Sequence, residues 1–238
     1  MATTCLLRGE LLRTRLTAAP VRGRSPSDLT RLRQNLPILP LGQPGRPAPF
    51  PTLLMCLADD SASVSAPTGA DPISNRYSEM RHAFQAVARR GSGHELGAVL
   101  HFDTPTTADV PPTALTRTGL HRINSGLCSP PDAAGVSLLG PSLTAAYHLA
   151  ESYPNHRATL VVLSDFELFD TNLTDIMTDL TGFPDDVRLV VLGRQAPQGL
   201  DACGAQVTSV PCDAPPGAVA TALFASLTTH RPGAHRGG

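Results

Sequence analysis

Lysine and tryptophan are absent from this 238-residue chain, and all nineteen basic residues are arginine. Without lysine there is no phosphate-binding loop of the usual kind, no Schiff-base chemistry and no lysine general base. Aromatic residues make up only 4% of the sequence, which argues against a base-stacking surface for nucleic acid. The five cysteines form no CxxC pair and no zinc spacing; Cys56 lies within an apolar run and reads as a core residue, while Cys203 and Cys212 read as ordinary thiols. None of the eight histidines falls into HExxH or another two-histidine metal spacing. No early apolar run is long enough for a secretory signal, and none approaches a membrane span. These absences lead to the expectation of a cytoplasmic protein.

What is present is unevenly distributed. Residues 1–50 carry eight Arg and two acidic residues, whereas 51–238 carry eleven Arg and eighteen acidic residues. The first fifty residues therefore read as a basic, proline-rich, loosely ordered leader. A body over 51–229 follows, and 230–238 read as a disordered tail. Within the body, apolar runs at 52–58, 95–102, 158–165 and 187–193 suit strands buried on both faces, with a weaker fifth at 205–210. Helical spacing appears at 78–90, 140–154, 171–180 and 216–230. Pro141 suits a first helical turn. Strands alternating with helices over short links predict an α/β fold, with a doubly wound, mostly parallel sheet flanked by helices. The stretch 103–135, rich in Pro, Thr and Gly, shows no clear period and reads as loops with a poorly signalled element or two.

In such sheets ligands bind beyond the carboxyl ends of the strands. Two strand ends are richly polar: Asp59-Asp60-Ser61-Ala62-Ser63, and Ser164-Asp165 followed by Glu167 and Asp170. If those strands are neighbours, carboxylates and hydroxyls meet at one edge. Hard oxygens of this kind suit Mg²⁺ or Mn²⁺. Neutral hydroxyls as direct ligands leave much of the ion's charge unquenched, so it takes a further carboxylate from a partner readily. The plain alternative is that Asp59, Ser61 and Ser63 only cap a loop by bonding its backbone. Asp103 reads as a turn former, Glu167 and Asp170 as solvated loop acids, and His101 as a packed or surface residue. Asn172-Leu173-Thr174 matches a glycosylation sequon, but it lies in a helical stretch and is discounted.

The run Asp59-x-Ser61-x-Ser63 resembles the D-x-S-x-S motif of the metal-ion-dependent adhesion site in von Willebrand factor A domains. The resemblance covers about residues 51–229. It implies a Rossmann-like sheet of order 3-2-1-4-5-6 with the first and fourth strands side by side, and an edge strand before the helix at 140. Ser137, six residues ahead of Leu143, resembles the family's second-loop threonine, and Asp165 its third-loop aspartate. The resemblance therefore implies Ser61, Ser63 and Ser137 as direct ligands of Mg²⁺ or Mn²⁺, with Asp59 and Asp165 acting through water. Phe166 stands where many relatives carry glycine, so a different loop backbone is expected there. The implied function is that of a binding module, not an enzyme, which takes an Asp or Glu of a protein partner. Bacterial cytoplasmic relatives point to an ATPase or another component of a multi-gene system as that partner, with no nucleic acid or membrane involved. One alternative is a domain of this kind that has lost its metal and is purely structural or an interaction domain; the other is an Asp-based Mg²⁺ phosphohydrolase. The latter is disfavoured because such enzymes need D-x-D, where this chain has Ser61, and a lysine.

Overall fold

Thr52–Ala58 (β1) is a central strand of a six-stranded sheet. Its side chains alternate between two apolar layers, with Leu54 and Cys56 on one face of the sheet and Leu53, Met55 and Leu57 on the other. Glu95–His101 (β2), Arg157–Ser164 (β4) and Asp186–Gly193 (β5) are likewise apolar over most of their length, as expected for parallel strands covered on both sides. Val110–Ala114 (β3) and Gln206–Pro211 (β6) close the two edges. The sheet order is β3-β2-β1-β4-β5-β6, with only β3 antiparallel. The computed structural model describes residues 40–66, 69–71, 75–197 and 199–236. The reading of residues 1–39 as a leader lies outside them.

Among the described residues, five helices of ten or more residues flank the sheet: Arg76–Ala88 (α1), Arg117–Gly126 (α2), Gly140–Ser152 (α3), Leu173–Gly182 (α4) and Ala218–Leu227 (α5). One layer packs Met80, Phe84 and Val87 of α1 and Ile123 of α2 with Leu223 and Phe224 of α5. The other packs Leu143 and Ala146 of α3 with Ile176 and Leu180 of α4. Each such side chain contributes about 1.5–3 kcal/mol when fully buried. Helix starts are held by carboxylates from elsewhere in the chain. Glu79 accepts from the backbone N–H groups of Gly217 and Ala220 at the start of α5 (2.8 and 3.0 Å). Asp170 accepts from those of Leu139 and Gly140 at the start of α3 (both 2.9 Å). Negative charge at a helix N-terminus satisfies orphan donors and complements the dipole.

The stretch 103–135, which shows no clear period in the sequence, holds both β3, the edge strand that the resemblance implied, and α2. Pro111 and Pro112 are tolerated in β3 because it is an edge strand with one unpaired side. Gly126, the last residue of α2, lies so close to β3 that a Cβ there would meet Val110 Cγ2 at 2.3 Å. One expectation is corrected, at the ends of the body. Residues 40–50 and 231–236 pack onto it and are not loose: Gly42–Gln43 pairs with His235–Arg236, and Leu41 and Ala48 are buried. Their anchor is an ion pair hidden from solvent. Arg231 Nε and Nη2 donate to the two Glu95 oxygens at 2.8 and 2.7 Å, and Glu95 Oε1 also accepts from Ala48 N.

Arg231→Leu leaves the Glu95 carboxylate buried without its charge partner. Urea denaturation should show a loss of about 3–5 kcal/mol, whereas a paired Arg231→Leu/Glu95→Leu replacement should recover most of it.

Candidate functional site

β1 and β4 lie side by side in parallel register, Ala58 opposite Leu163, so both chains leave the sheet at the same level. Asp59 N donates to Leu163 O at 3.0 Å, and Ser164 Oγ donates to Asp59 Oδ2 at 2.6 Å. The chain leaves β1 toward β2 on one side and β4 toward β5 on the other. The polar edge therefore sits at the topological switch point, where α/β sheets open a crevice. A third loop joins it: Phe169 N donates to Ser137 O at 2.8 Å, and Gly135 N donates to Asp103 Oδ2 at 2.7 Å.

The five expected site residues differ in how they are used. Asp59 is completely buried and accepts from Ser61 N (2.8 Å) with its other oxygen. That bond is loop capping. Ser61 and Ser63 do not cap: their hydroxyls face each other at 3.0 Å, and Ser61 makes no side-chain bond to the turn it begins. Ser65 is the one that braces the turn, donating to Ser61 O at 2.9 Å. Ser137 Oγ and Asp165 Oδ2 are buried with no hydrogen-bond partner. Asp165 Oδ1 accepts from Glu167 N at 3.0 Å, and the nearest charge to Oδ2 is Arg194 Nη2 at 3.9 Å. Arg194 also pairs with Glu167. Buried oxygens left unpaired are costly. Among the described residues no group of three His, Cys, Asp or Glu forms a metal cluster, so a cation here depends on hydroxyl ligands.

Burial pushes the Asp59 carboxyl above the ordinary carboxylate range; hydrogen bonds from Ser164 and Ser61 oppose the shift, and the neighbouring Asp165 adds to it. Asp60, the next residue, lies in the opposite environment and was not singled out by sequence reasoning. Burial alone raises its carboxyl as well, but His101, Arg76 and Tyr77 overcome that and hold it below the ordinary range. Asp60 Oδ1 accepts from Arg76 Nη2 at 2.6 Å, and Oδ2 accepts from Tyr77 OH and His101 Nδ1, both at 2.7 Å. His101 Nε2 lies 3.1 Å from Gly126 O, so both ring nitrogens are placed against oxygen atoms. Arg76 Nη1 reaches Asp71 at 3.2 Å, and Asp71 also accepts from the first amides of α1. His101 is thus a buried hydrogen-bond partner of Asp60, at the packed end of the sequence expectation. Asp103 and Asp170 are not merely solvated or local turn acids: each ties two loops of the edge together.

Phe166 reverses an expectation. Its φ of 58° is the left-handed conformation a glycine would adopt, so the loop keeps the glycine-type backbone. The strain is offset because the ring packs in the α3–α4 layer and Phe166 N donates to Ser164 Oγ at 2.8 Å.

No family model matches the chain, and no curated protein matches it. Solved structures do. A von Willebrand factor type A protein from Catenulispora acidiphila superposes with a TM-score of 0.52 at 15% identity, over 79% of this chain and 48% of that one. The SpRpn10 VWA domain gives a TM-score of 0.48 at 12% identity, over 72% and 93%. The chain thus spans about half the length of the Catenulispora protein. The fold is the Rossmann-like α/β fold of von Willebrand factor A domains.

Adjacent aspartates should respond oppositely to neutralisation. Asp59, with its raised folded value, favours the fold below the ordinary carboxylate value of about 3.9 and loses that contribution as pH rises through the folded value. It is therefore a net cost at neutral pH, and Asp59→Asn should raise the urea midpoint in EDTA. Asp60, with its lowered value, contributes stability above the ordinary value and loses it as pH falls through the folded one. Asp60→Asn should cost about 3–5 kcal/mol by removing the anion that faces the buried Arg76. At Phe166, Ala should be less stable than Gly by about 1 kcal/mol, since only Gly relieves the positive φ.

Proposed function

We propose that the polar edge holds a divalent cation, Mg²⁺ or Mn²⁺, and that the domain is a protein-binding module whose partner supplies an Asp or Glu to that site. The observation that carries this reading is the pair of buried, unpartnered oxygens, Ser137 Oγ and Asp165 Oδ2. They come from two separate loops joined to each other and to Asp59, and the donor set is all oxygen. Ser61, Ser63 and Ser137 are the proposed direct ligands, with Asp59 and Asp165 bonded through water. A bound cation would offer a Lewis-acidic position to an oxygen anion. Ser164 holds Asp59 in place, and Phe166 turns the chain so that Asp165 remains at the edge. The partner class, an ATPase or another component of a multi-gene system, belongs to the same proposal. So does a cytoplasmic setting; no helix among the described residues is long and apolar enough to cross a membrane.

A second reading rests on Arg194. Its guanidinium, 3.9 Å from Asp165 Oδ2, is a built-in cation and fits a domain that binds partners without metal.

Calorimetric titration with Mn²⁺ separates the two. On the cation reading, binding weakens at least tenfold in Asp59→Ala, Asp165→Ala and Ser137→Ala, while Ser137→Thr retains it; capture of the native partner is lost in EDTA. Absence of heat with the wild type, or binding unchanged in the two aspartate variants, favours the metal-free reading.

A further inference from the structure

Among the described residues, the large apolar side chains that stand exposed are Val136 at 37%, Phe169 at 75% and Leu173 at 51%. All three lie on the two loops that carry Ser137 and Asp165, or directly after them. Val136 precedes Ser137. Phe169 is bonded to the Ser137 carbonyl through its own N–H at 2.8 Å. Leu173 follows four residues on, at the first position of α4, beyond the Asp170 that caps α3. A soluble surface scatters its exposed apolar residues; gathering them beside one polar crevice marks a contact surface. The rest of the rim is charged. Arg194 is 44% exposed and pairs with the half-exposed Glu167.

We infer that these three residues form an apolar rim that reads the side chain next to the partner's carboxylate, so that the site takes an acidic residue flanked by a large aliphatic or aromatic one. This inference rests on the cation reading of the site. A carboxylate aimed at Ser137 and Asp165 passes between the loop of Val136 and the loop of Phe169. Its chain neighbours are then carried over those two side chains. Arg194 adds a cation on the same rim and favours an acidic partner. A second copy of the chain is the weaker occupant. The Ser137 and Asp165 site would have to receive an acid from the other copy's equivalent surface, where Asp165 is fully buried and Glu167 is already paired with Arg194.

The experiment is a selection of random short peptides displayed on phage, performed on the full chain in Mn²⁺ buffer, followed by binding of the enriched peptides to variants. Enrichment of Asp or Glu with a large apolar residue within two positions is expected. Phe169→Ser should weaken those peptides about tenfold or more, as expected for loss of most of a phenylalanine's buried area. It should leave Mn²⁺ calorimetry and the thermal midpoint unchanged, because the ring is exposed and touches no ligand. Acidic peptides with no apolar preference, or equal affinity for Phe169→Ser, overturn the rim and leave the cation reading intact. No Mn²⁺ heat in the wild type overturns both. A wild-type dimer in sedimentation that Phe169→Ser turns into a monomer assigns the patch to self-association and also overturns the proposal.

Discussion

The polar edge exists because β1 and β4 are neighbours. Their parallel pairing places Ala58 beside Leu163, and the next residue of each strand then emerges at one level. Had another strand been inserted between them, Asp59 and Ser164 would lie about 10 Å apart and share nothing. Instead, Ser164 donates to Asp59, and Phe166 N donates to the same hydroxyl. The sheet thus sets the distance between the first and third loops, and the loops need little conformational freedom to meet. The second loop has no strand of its own at this point. It is held by hydrogen bonds from outside: Phe169 N to Ser137 O, and Asp170 to the start of α3.

Two consecutive aspartates divide the electrostatic labour. Asp60 is turned toward the α1 side, where it pairs with Arg76 and is bonded by Tyr77 and His101, and Asp71 pairs with Arg76 in turn. Both carboxylates reach the Arg76 guanidinium, so the cluster braces the start of the first loop from beneath. Asp59 and Asp165 have no such balance within the edge beyond the half-exposed Arg194. Among the described residues, the buried carboxylate oxygen left without a hydrogen-bond partner is Asp165 Oδ2, at this edge. Glu79, Glu95 and Asp170 supply the contrast, since each is held by two or more donors.

Much of the sheet was legible in the sequence because its parallel strands are apolar on both faces, a signal contained in seven or eight consecutive residues. The polar strand ends were legible for the same reason, since an abrupt change from Leu57-Ala58 to Asp59-Asp60 marks the edge of the core. What was missed depends on contacts far apart in the chain. Glu95 and Arg231 are 136 residues apart, and nothing near either one announces the pair. Asp60 meets His101 across 41 residues. A weak signal was available there: an Arg and a Tyr at the very start of an amphipathic helix, and a histidine at the last position of a buried strand, are expensive placements unless something charged lies between them. β3 was hidden by its prolines and α2 by its scarcity of apolar residues, of which Ile123 is the one fully buried. Phe166 was misread because a residue type was taken to dictate backbone conformation. The packing of its ring in the core decided otherwise.

On the proposed reading, the two parts of the edge have separate tasks. A carboxylate meeting a cation in a partly wet crevice is attracted from a distance and oriented, but it exchanges good hydration for good coordination, and the net gain is small. Affinity in protein contacts comes mainly from a few large side chains that lose water on both partners. The hydroxyl and carboxylate groups are buried or nearly so, with Ser63 half-buried, and thus offer little apolar area; Phe169, Val136 and Leu173 offer area but no direction. An edge with only the first set would accept many acidic surfaces loosely. One with only the second would adhere without register. Placing both on loops fixed by the same β1–β4 junction couples direction to area, so that a partner gains the apolar contact only when its carboxylate is correctly seated.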